Sequence, residues 1–315
     1  MRTTQALVPT LKEAPADATT PSHIHLVRAG YVRRVGAGIY SFLPLGLRVL
    51  QRIEAIVREE MDAASALEVL LPALLPAEYL KETGRWDLFG DTLLRLKDRK
   101  GGDYHLGPTH EEIITDLARS TLRSYRDLPR NLYQIQTKFR DEPRPRAGLL
   151  RCREFVMKDA YSFDADEAGA LASYERMRVA YTRIFDRLGL DYRMVAADSG
   201  AMGGSTSAEF QVLVQTGEDV LAACRACSFA ANLEVAPAPA IDGGPAPAAA
   251  FERVHTPGKR KIEDVCAFLS APASSLLKSL VYQAGDELVL AIVRGDHELH
   301  EVKLARALGV DEVRL

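Results

Sequence analysis

The chain has 315 residues, a mass of 34.6 kDa and 47% hydrophobic residues, enough for about two domains with buried cores. Its 40 basic and 43 acidic residues give a formal net charge of −3, which argues against a globally basic nucleic-acid binder but allows a local basic patch. There is no signal peptide, no apolar run long enough for a membrane span and no disulfide-rich pattern, so we expect a cytoplasmic protein that does not enter the membrane.

The first part of the chain predicts two helices and one strand. Apolar residues recur at helical spacing over residues 44–62, which indicates an amphipathic helix. The apolar run 67–75 then predicts a buried strand. A second helix is predicted over residues 108–127, with Pro108 and Thr109 as its start signal.

Two strands joined by an arginine-rich loop are predicted next. In residues 131–140, "NLYQIQTKFR", aromatic and β-branched residues alternate with polar ones, which is typical of a strand. Residues 149–163, "LLRCREFVMKDAYSF", form a second strand candidate. The intervening segment 141–148, "DEPRPRAG", has two prolines and a glycine and predicts a loop, so the whole unit reads as a long antiparallel hairpin.

The remainder predicts a helix, a glycine-rich turn, a linker and a second unit. The helix covers residues 165–189, and the turn with its following strand covers 198–220. Residues 235–250 are rich in Ala, Pro and Gly and predict a linker or loose loop. After it we predict two strands and a helix over residues 277–283, 287–299 and 300–308.

The hairpin concentrates arginines that strand alternation sorts onto faces. Lys138 and Arg140 share one face of the first strand, and Arg151, Arg153 and Phe155 share one face of the second. If these two faces lie on the same side of the sheet, the guanidinium groups lie beside the aromatic ring. Guanidinium groups bind phosphate or carboxylate, and an aromatic ring stacks on a purine base. The alternative is a solvated hairpin whose arginines pair with nearby carboxylates, and composition alone favours that alternative.

Two further signals are weaker. Cys224-x-x-Cys227 is either half of a zinc site, a redox pair or two unremarkable thiols, and we favour the last because no second pair follows at ligand spacing. His23 and His25 lack a surrounding ligand pattern, so we expect a surface role for them. No metal-ligating residue set is predicted.

Several long segments resemble one family along essentially the whole chain. Residues 137–163, "TKFRDEPRPRAGLLRCREFVMKDAYSF", resemble motif 2 of the class II aminoacyl-tRNA synthetases, and more narrowly of the bacterial prolyl-tRNA synthetases. Residues 28–61 resemble motif 1, the dimer-interface helix with its characteristic proline, here Pro44. "LGPTHEEIITDL", residues 106–117, is similar to the Thr-x-Glu loop that recognises proline, and "CRACSFAANLE", residues 224–234, also matches.

The resemblance implies an α/β fold, with a class II synthetase-like antiparallel sheet flanked by helices and a partial inserted editing domain. We predict the catalytic domain over residues 1–223 and the start of the editing domain over 224–315. The implied activity is that of a proline–tRNA ligase, which activates proline with ATP to prolyl-adenylate and transfers the prolyl group to tRNA(Pro). The implied assembly is a homodimer formed through residues 36–62.

The resemblance also implies roles for individual residues. The implied ATP-binding residues are Arg140, Glu142, Arg151 and Phe155. Arg140 and Arg151 are the catalytic pair, Glu142 reads the adenine amino group and the Phe155 ring stacks on the base. Arg140 also holds the proline carboxylate, and Thr109 and Glu111 recognise the imino group. Mg²⁺ is expected on the ATP phosphates with few protein ligands.

The implied editing domain hydrolyses alanine that has been mischarged onto the tRNA, because a pocket for proline excludes alanine weakly. The implied editing residues are Lys278, Gly295, Asp296 and His297. His300 stands where the family has asparagine, and we expect this to affect editing. Cys152 replaces a glycine and is expected to crowd the second strand, and Ala208 replaces a histidine.

Motif 3 and the anticodon-binding domain of the family have no counterpart in the sequence, so we expect the chain to be a fragment of a longer synthetase. Its sheet would then have an open edge, which predicts poor solubility. An alternative is a truncated paralogue that binds nucleotide or tRNA without aminoacylation. A stand-alone editing hydrolase is disfavoured because the second unit is short.

Overall fold

The computed structural model of the chain describes residues 5–197, 207–217, 219–227, 229–233, 235–237, 250, 252–310 and 312–315. It divides into two compact units, Met1–Leu190 and Asp191–Leu315, which are described separately. Within the described residues, no helix combines the length and the apolar character needed to cross a membrane.

The first unit contains six helices within its described residues. They are α1 (Pro21–Arg28), α2 (Pro44–Ala63), α3 (Ala77–Glu82), α4 (Arg85–Leu88), α5 (Glu111–Thr121) and α6 (Glu167–Arg187). The longest, α2 and α6, start with recognisable signals: Pro44 occupies the first turn of α2, and the Asp166 side chain caps α6 by accepting a hydrogen bond from the Gly169 nitrogen at 2.8 Å.

Three small sheets make up the strands of this unit. Their members are β1 (Val32–Gly36), β2 (Ile39–Phe42), β3 (Leu67–Glu68), β4 (Leu74–Pro76), β5 (Arg95–Lys97), β6 (Asp103–Leu106), β7 (Arg130–Phe139) and β8 (Glu154–Phe163). The orders are β1-β2, β3-β7-β8 and β4-β6-β5, and every pairing is antiparallel except that of β3 with β7.

Helices α2 and α6 cover one face of the β3-β7-β8 sheet. Met61 of α2 and Tyr133 of β7 are fully buried there, and Met177 and Tyr181 of α6 pack against them. Because side chains alternate across a strand, the odd-numbered residues of β7 point into this core and the even-numbered ones point to the opposite face. That opposite face carries the candidate site.

The long hairpin, α2 and α6 confirm the predictions from periodicity, whereas two other predictions were wrong in detail. The run 67–75 is not one buried strand, because it divides around Pro72 into β3 and β4, which belong to different sheets. Its burial is also mixed, with Leu75 buried and Leu70 76% exposed. The predicted helix 108–127 is shorter and is the single helix α5, followed by a short 3-10 turn over Tyr125–Asp127.

The expected surface role of His23 was also wrong. His23 is 4% exposed, and its Nε2 lies 3.2 Å from the Tyr40 hydroxyl. The neighbouring His25 is exposed, as expected. On α1 the two histidines are two positions apart and therefore point in different directions, which explains why one is buried and the other is not.

The second unit contains two sheets and two helices within its described residues. Its elements are β9 (Tyr192–Ala196), β10 (Ala208–Val212), β11 (Leu221–Ala223), β12 (Ala230–Asn232), α7 (Ile262–Leu269), β13 (Leu277–Ala284), β14 (Glu287–Arg294) and α8 (Glu301–Leu308). The sheet orders are β10-β9-β12-β11 and β13-β14. Ala305 of α8 packs with Tyr282 and Ala291, so the predicted strand, strand and helix form one small core.

The glycine-rich turn predicted before β10 and most of the predicted linker 235–250 lie outside the described residues.

Candidate active site

The register of the β7-β8 hairpin brings the two predicted faces together. Lys138 is directly opposite Phe155, and the Arg140 nitrogen donates to the Arg153 carbonyl oxygen at 2.9 Å. Directly opposed residues in an antiparallel pair project to the same side of the sheet. Lysine, arginines and the aromatic ring therefore share one face, which is the face turned away from α2 and α6.

The side chains of Arg140 and Phe155 are in contact on that face. The guanidinium carbon of Arg140 lies 5.4 Å from the centroid of the Phe155 ring, which is within cation–π range. Arg140 is exposed, and its Nη2 donates to the carbonyl oxygen of Pro108 at 3.4 Å. The arginine that is predicted to bind phosphate and the ring that is predicted to stack on the base are thus adjacent. Arg140 also contacts the segment that contains Thr109 and Glu111.

Thr109 and Glu111 are joined by their side chains where the chain enters α5. The Thr109 hydroxyl lies 2.6 and 2.5 Å from the two carboxylate oxygens of Glu111. Arg85 of α4 donates from Nη1 to Glu111 at 3.1 Å and to Glu112 at 2.9 Å. A half-buried carboxylate, held in place by a hydroxyl and a guanidinium, suits recognition of a small cationic group.

A buried cluster of charged and polar groups adjoins the Thr109–Glu111 pair. Lys138 is fully buried, and its Nζ donates to His110 Nδ1 at 2.7 Å and forms an ion pair with Asp159 at 3.0 Å. Asp159 also accepts hydrogen bonds from Gln134 at 2.9 Å and from the Tyr161 hydroxyl at 2.6 Å. The cluster connects His110, which lies between Thr109 and Glu111, to both strands of the hairpin.

The bonding fixes the protonation state of His110. Its Nε2 lies 2.9 Å from the Pro72 carbonyl oxygen, which can only accept, so Nε2 carries the proton and Nδ1 accepts from Lys138. Burial, reinforced by the positive charge of Lys138, lowers the pKa of His110 and keeps the ring neutral. Burial also lowers the pKa of Lys138, an effect that Asp159 opposes.

Glu142 and Arg151 form an ion pair on the arginine-rich loop. The Arg151 Nε lies 3.0 Å from a Glu142 carboxylate oxygen, and this bond holds the pKa of Glu142 below its usual range. The two side chains were predicted to bind different parts of ATP. This ion pair has to open if Glu142 is to accept from an adenine amino group while Arg151 donates to a phosphate.

The β1-β2 turn and α1 hold this loop. Gly38 accepts a hydrogen bond from the Arg153 nitrogen at 2.8 Å, and a Cβ at Gly38 would lie 2.8 Å from the Cβ of Pro145. A Cβ at Gly148 would meet the His23 ring at 2.8 Å. Close contacts of this kind leave no room for larger side chains and set the position of the loop.

Sequence comparisons show which protein families the chain resembles. A family model described as the tRNA synthetase class II core domain (G, H, P, S and T) matches residues 94–239, and an aminoacyl-tRNA editing domain matches residues 256–315. The chain is 58% identical over 315 residues to the proline–tRNA ligase of Nitratidesulfovibrio vulgaris strain Hildenborough and 53% identical to that of Geobacter metallireducens. All of this chain is aligned, but it spans only 55% of the length of either relative.

The chain carries a class II aminoacyl-tRNA synthetase core domain and an aminoacyl-tRNA editing domain.

Solved structures show a similar fold over part of the chain. A prolyl-tRNA synthetase of Giardia lamblia in complex with prolyl-adenylate matches with a TM-score of 0.50 and 24% identity, over 53% of this chain and 35% of the other. A prolyl-tRNA synthetase of Cryptosporidium parvum complexed with L-proline and AMP matches with a TM-score of 0.52 and 17% identity, over 59% and 39% of the two chains. At these identities the likeness concerns the fold alone.

The predicted editing residues of the synthetase chain meet at one end of the β13-β14 hairpin. Lys278 is directly opposite Val293, near the end of β14, and Gly295 begins the turn that follows. Gly295 is buried, with its nitrogen donating to the Leu276 carbonyl oxygen at 2.7 Å. Asp296 is bound by both Nε and Nη2 of Arg294, at 2.6 and 2.9 Å, which lowers the pKa of Asp296. His297 is exposed beside it.

The structure places the three residues that depart from the family pattern at a strand entry, in a strand and at a helix start. Cys152 is buried just before β8, and its thiol donates to the Gly148 carbonyl oxygen at 3.2 Å, so its side chain fits beside the loop. Ala208 is the first residue of β10 and is paired with Ala196. His300 is exposed at the start of α8.

Sequence reasoning missed the groups that support the predicted residues. Arg85, His110 and Asp159 were not singled out, and Lys138 was placed on the correct face without its burial being recognised. The alternation of β8 carried a signal, because Asp159 shares a face with Phe155, the residue opposite Lys138. Arg85 gave no signal, since it acts on Glu111 from 26 positions away.

A metal site built from side chains is not found among the residues that the structure describes, since no group of three or more His, Cys, Asp or Glu residues converges there. The two carboxylates at the start of the arginine-rich loop are both paired, Glu142 with Arg151 and Asp141 with Arg153. The described part of the chain therefore shows no cluster of side chains that would enclose Mg²⁺.

Proposed function

We propose that this chain forms the amino-acid activation site of a proline–tRNA ligase. One observation carries the proposal: Arg140 contacts Phe155 and also reaches Pro108, which adjoins the Thr109–Glu111 pair. The residues proposed to bind the nucleotide are therefore adjacent to the carboxylate proposed to bind the amine. The names of the relatives, all proline–tRNA ligases, and the ligands of the similar solved enzymes, prolyl-adenylate and L-proline with AMP, support the choice of proline and ATP.

In the proposed reaction, a carboxylate oxygen of proline attacks the α-phosphorus of ATP and displaces pyrophosphate. Arg140 donates to the α-phosphate and the carboxylate, and stabilises the negative charge that builds up between them. Arg151 opens from Glu142 and donates to phosphate oxygens, while Glu142 accepts from the adenine amino group. No side chain acts as a nucleophile, so the rate comes from orientation and electrostatic stabilisation. Mg²⁺ bound to the ATP phosphates would neutralise part of their charge.

The proline ring is proposed to lie against Thr109 and Glu111. Proline carries a positively charged secondary amine, and the Glu111 carboxylate is its counter-ion. Arg85 and Thr109 hold that carboxylate in one orientation, and neutral His110 between them adds no competing positive charge. The buried Lys138–Asp159 ion pair holds His110 through the bond from Lys138 to His110, next to the proposed proline-binding residues.

The prolyl group is then proposed to pass to tRNA(Pro), and the second unit to hydrolyse alanyl-tRNA formed in error. The match of residues 256–315 to an aminoacyl-tRNA editing domain supports the second activity. Lys278 and the turn Gly295–His297 are the proposed editing residues. Since its tRNA and ATP substrates are cytoplasmic, we propose that the protein acts in the cytoplasm.

A homodimer through residues 36–62 is also proposed. Leu47, Val49 and Ile53 on α2 are 43%, 45% and 37% exposed, an unusual density of apolar side chains on one helix. Val49 and Ile53 line an apolar cavity together with Phe42 and Val156. A second copy of the chain would bury this surface.

The experiment that tests the function is amino-acid-dependent exchange of labelled pyrophosphate into ATP. It should be run on this chain and on the same chain continued to the length of its relatives. We expect proline-dependent exchange in at least the longer protein. Exchange with alanine should be at least tenfold slower, as is typical of discrimination by a few methylene groups. Faster exchange with another amino acid, or none with proline in either protein, would contradict the proposal. Nucleotide binding without any exchange would favour the paralogue alternative.

A further inference from the structure

Two cysteines lie in the turn between two strands and belong to neither the proposed activation site nor the proposed editing site. Cys224 and Cys227 follow β11 and precede β12, which pair antiparallel. The Cys224 nitrogen donates to the Phe229 carbonyl oxygen at 2.9 Å, which closes the turn. Both thiols are free and exposed, so they are accessible to small molecules.

The turn directs hydrogen-bond donors at one of the two sulfurs. The Ala226 nitrogen donates to Cys224 Sγ at 3.4 Å, and Cys227, one position further along the chain, also lowers the pKa of Cys224. Donors of this kind stabilise a thiolate, and together they lower the pKa of Cys224. Cys227 follows Cys224 by three positions within the turn that the Cys224–Phe229 bond closes, so both thiols belong to one short turn.

The other two cysteines have different surroundings. Burial raises the pKa of Cys152, and Cys266 is half-buried on α7. An exposed cysteine with a lowered pKa and a second exposed thiol in the same turn is the arrangement of redox-sensitive cysteine pairs. A structural zinc site needs about four ligands, and no third metal-binding side chain approaches the pair among the residues that the structure describes.

We propose that Cys224 and Cys227 form a redox-active dithiol, which small-molecule disulfides oxidise reversibly to an intramolecular disulfide. The Cys224 thiolate attacks one sulfur of the small disulfide, which forms a mixed disulfide and releases one thiolate. The Cys227 thiol then loses its proton to solvent and attacks the Cys224 sulfur, which forms the Cys224–Cys227 bond and expels the second small thiolate. Two electrons pass from the protein to the small disulfide, and excess small thiol reverses both steps.

The test uses the 315-residue chain and oxidised glutathione as the probe. Trypsin cleaves after Arg225, between the two cysteines, so reduced chain yields separate peptides and oxidised chain yields two peptides joined by a disulfide. We expect the joined pair in mass spectrometry, and we expect the number of titratable thiols to fall from four to two. Dithiothreitol should restore all four.

Single substitutions assign the roles of the two thiols. Cys227→Ser should stop the reaction at a stable glutathione adduct on Cys224, and Cys224→Ser should react more slowly. Cys266→Ser is the matched control and should still form the joined peptides. In urea the rate difference between the Cys224→Ser and Cys227→Ser variants should disappear, because it depends on the folded turn. Equal rates in the folded variants, or disulfides between chains without the internal one, would overturn the proposal.

Discussion

The carbonyl oxygen of Gly38 accepts a hydrogen bond from the backbone nitrogen of Arg153 at 2.8 Å. This bond joins the β1-β2 turn to the segment between the arginine-rich loop and β8. The same glycine contacts Pro145 within the loop. The position of the proposed ATP-binding loop therefore depends on a turn more than a hundred positions earlier in the chain.

Gly38→Ala should weaken nucleotide binding through this contact. Gly38 has φ +72°, and a Cβ there would lie 2.8 Å from Pro145 and 3.0 Å from the Arg153 nitrogen, so the loop must shift. Gly84→Ala is the matched control, because Gly84 has φ +74° with nothing within 4 Å. Both variants should lose roughly 1–2 kcal/mol of stability from the left-handed backbone. Calorimetry should show weaker AMP binding only for Gly38→Ala, and equal affinities in the two variants would contradict the role of the contact.

Glu111→Gln should separate amino-acid recognition from nucleotide binding. The substitution keeps the shape of the side chain but removes the charge that faces the proline amine. Loss of a hydrogen bond to a charged group costs about 1.5–3 kcal/mol, which corresponds to roughly 10- to 150-fold in affinity. We expect that loss for a non-hydrolysable prolyl-sulfamoyl-adenosine and none for AMP. A parallel loss for both ligands would mean that Glu111 acts on the fold rather than on proline.

Lys158 makes the stability of the chain depend on pH. It lies on the helix-facing side of β8, with its Nζ bonded to the Tyr181 hydroxyl and 4.2 Å from the ring centroid. Burial lowers the pKa of Lys158 to about 8, whereas an unfolded lysine titrates near about 10.4. Between these values the unfolded state binds more protons, so this lysine makes the free energy of unfolding rise with pH.

The comparison of wild type with Lys158→Met measures this contribution. The unfolding free energy of the wild type, relative to the variant, should increase by about 3 kcal/mol between pH 7 and pH 10.5. Urea unfolding at several pH values provides the measurement. Lys12→Met, at an exposed position, is the control and should show the same pH profile as the wild type. Parallel pH profiles for wild type and Lys158→Met would mean that burial does not lower the pKa of Lys158 as we infer.

The sequence predicted the hairpin and its functional face because both follow from local periodicity. Period-two alternation in β7 and β8 fixed which side chains share a face, and the observed pairing of Lys138 with Phe155 agrees. Residues 67–75 were misjudged because hydrophobicity does not reveal that Pro72 separates two sheets. The burial of His23 beneath Gly148 and the ion pair of Arg85 with Glu111 depend on contacts between distant segments, to which no local pattern is sensitive.

Ile53→Glu should break the proposed dimer. A carboxylate in the centre of an apolar interface would be buried without a partner, which opposes association. Leu88→Glu is the control, because Leu88 of α4 is 66% exposed and lies outside residues 36–62. Light scattering should give twice 34.6 kDa for the wild type and for Leu88→Glu, and 34.6 kDa for Ile53→Glu. A monomeric wild type, or a dimer that Ile53→Glu leaves intact, would contradict the proposed interface.

The central claim is that Arg140, Phe155 and the Thr109–Glu111 pair form one site for prolyl-adenylate. Calorimetric titration of the 315-residue chain with prolyl-sulfamoyl-adenosine tests it most directly, with the alanyl analogue as the comparison ligand and Arg140→Ala and Arg140→Lys as variants. We predict tighter binding of the prolyl analogue, a loss of about 100-fold in Arg140→Ala and an intermediate loss in Arg140→Lys, because lysine keeps the charge without the fork. Absence of binding by the wild type, or wild-type affinity in Arg140→Ala, would contradict the claim.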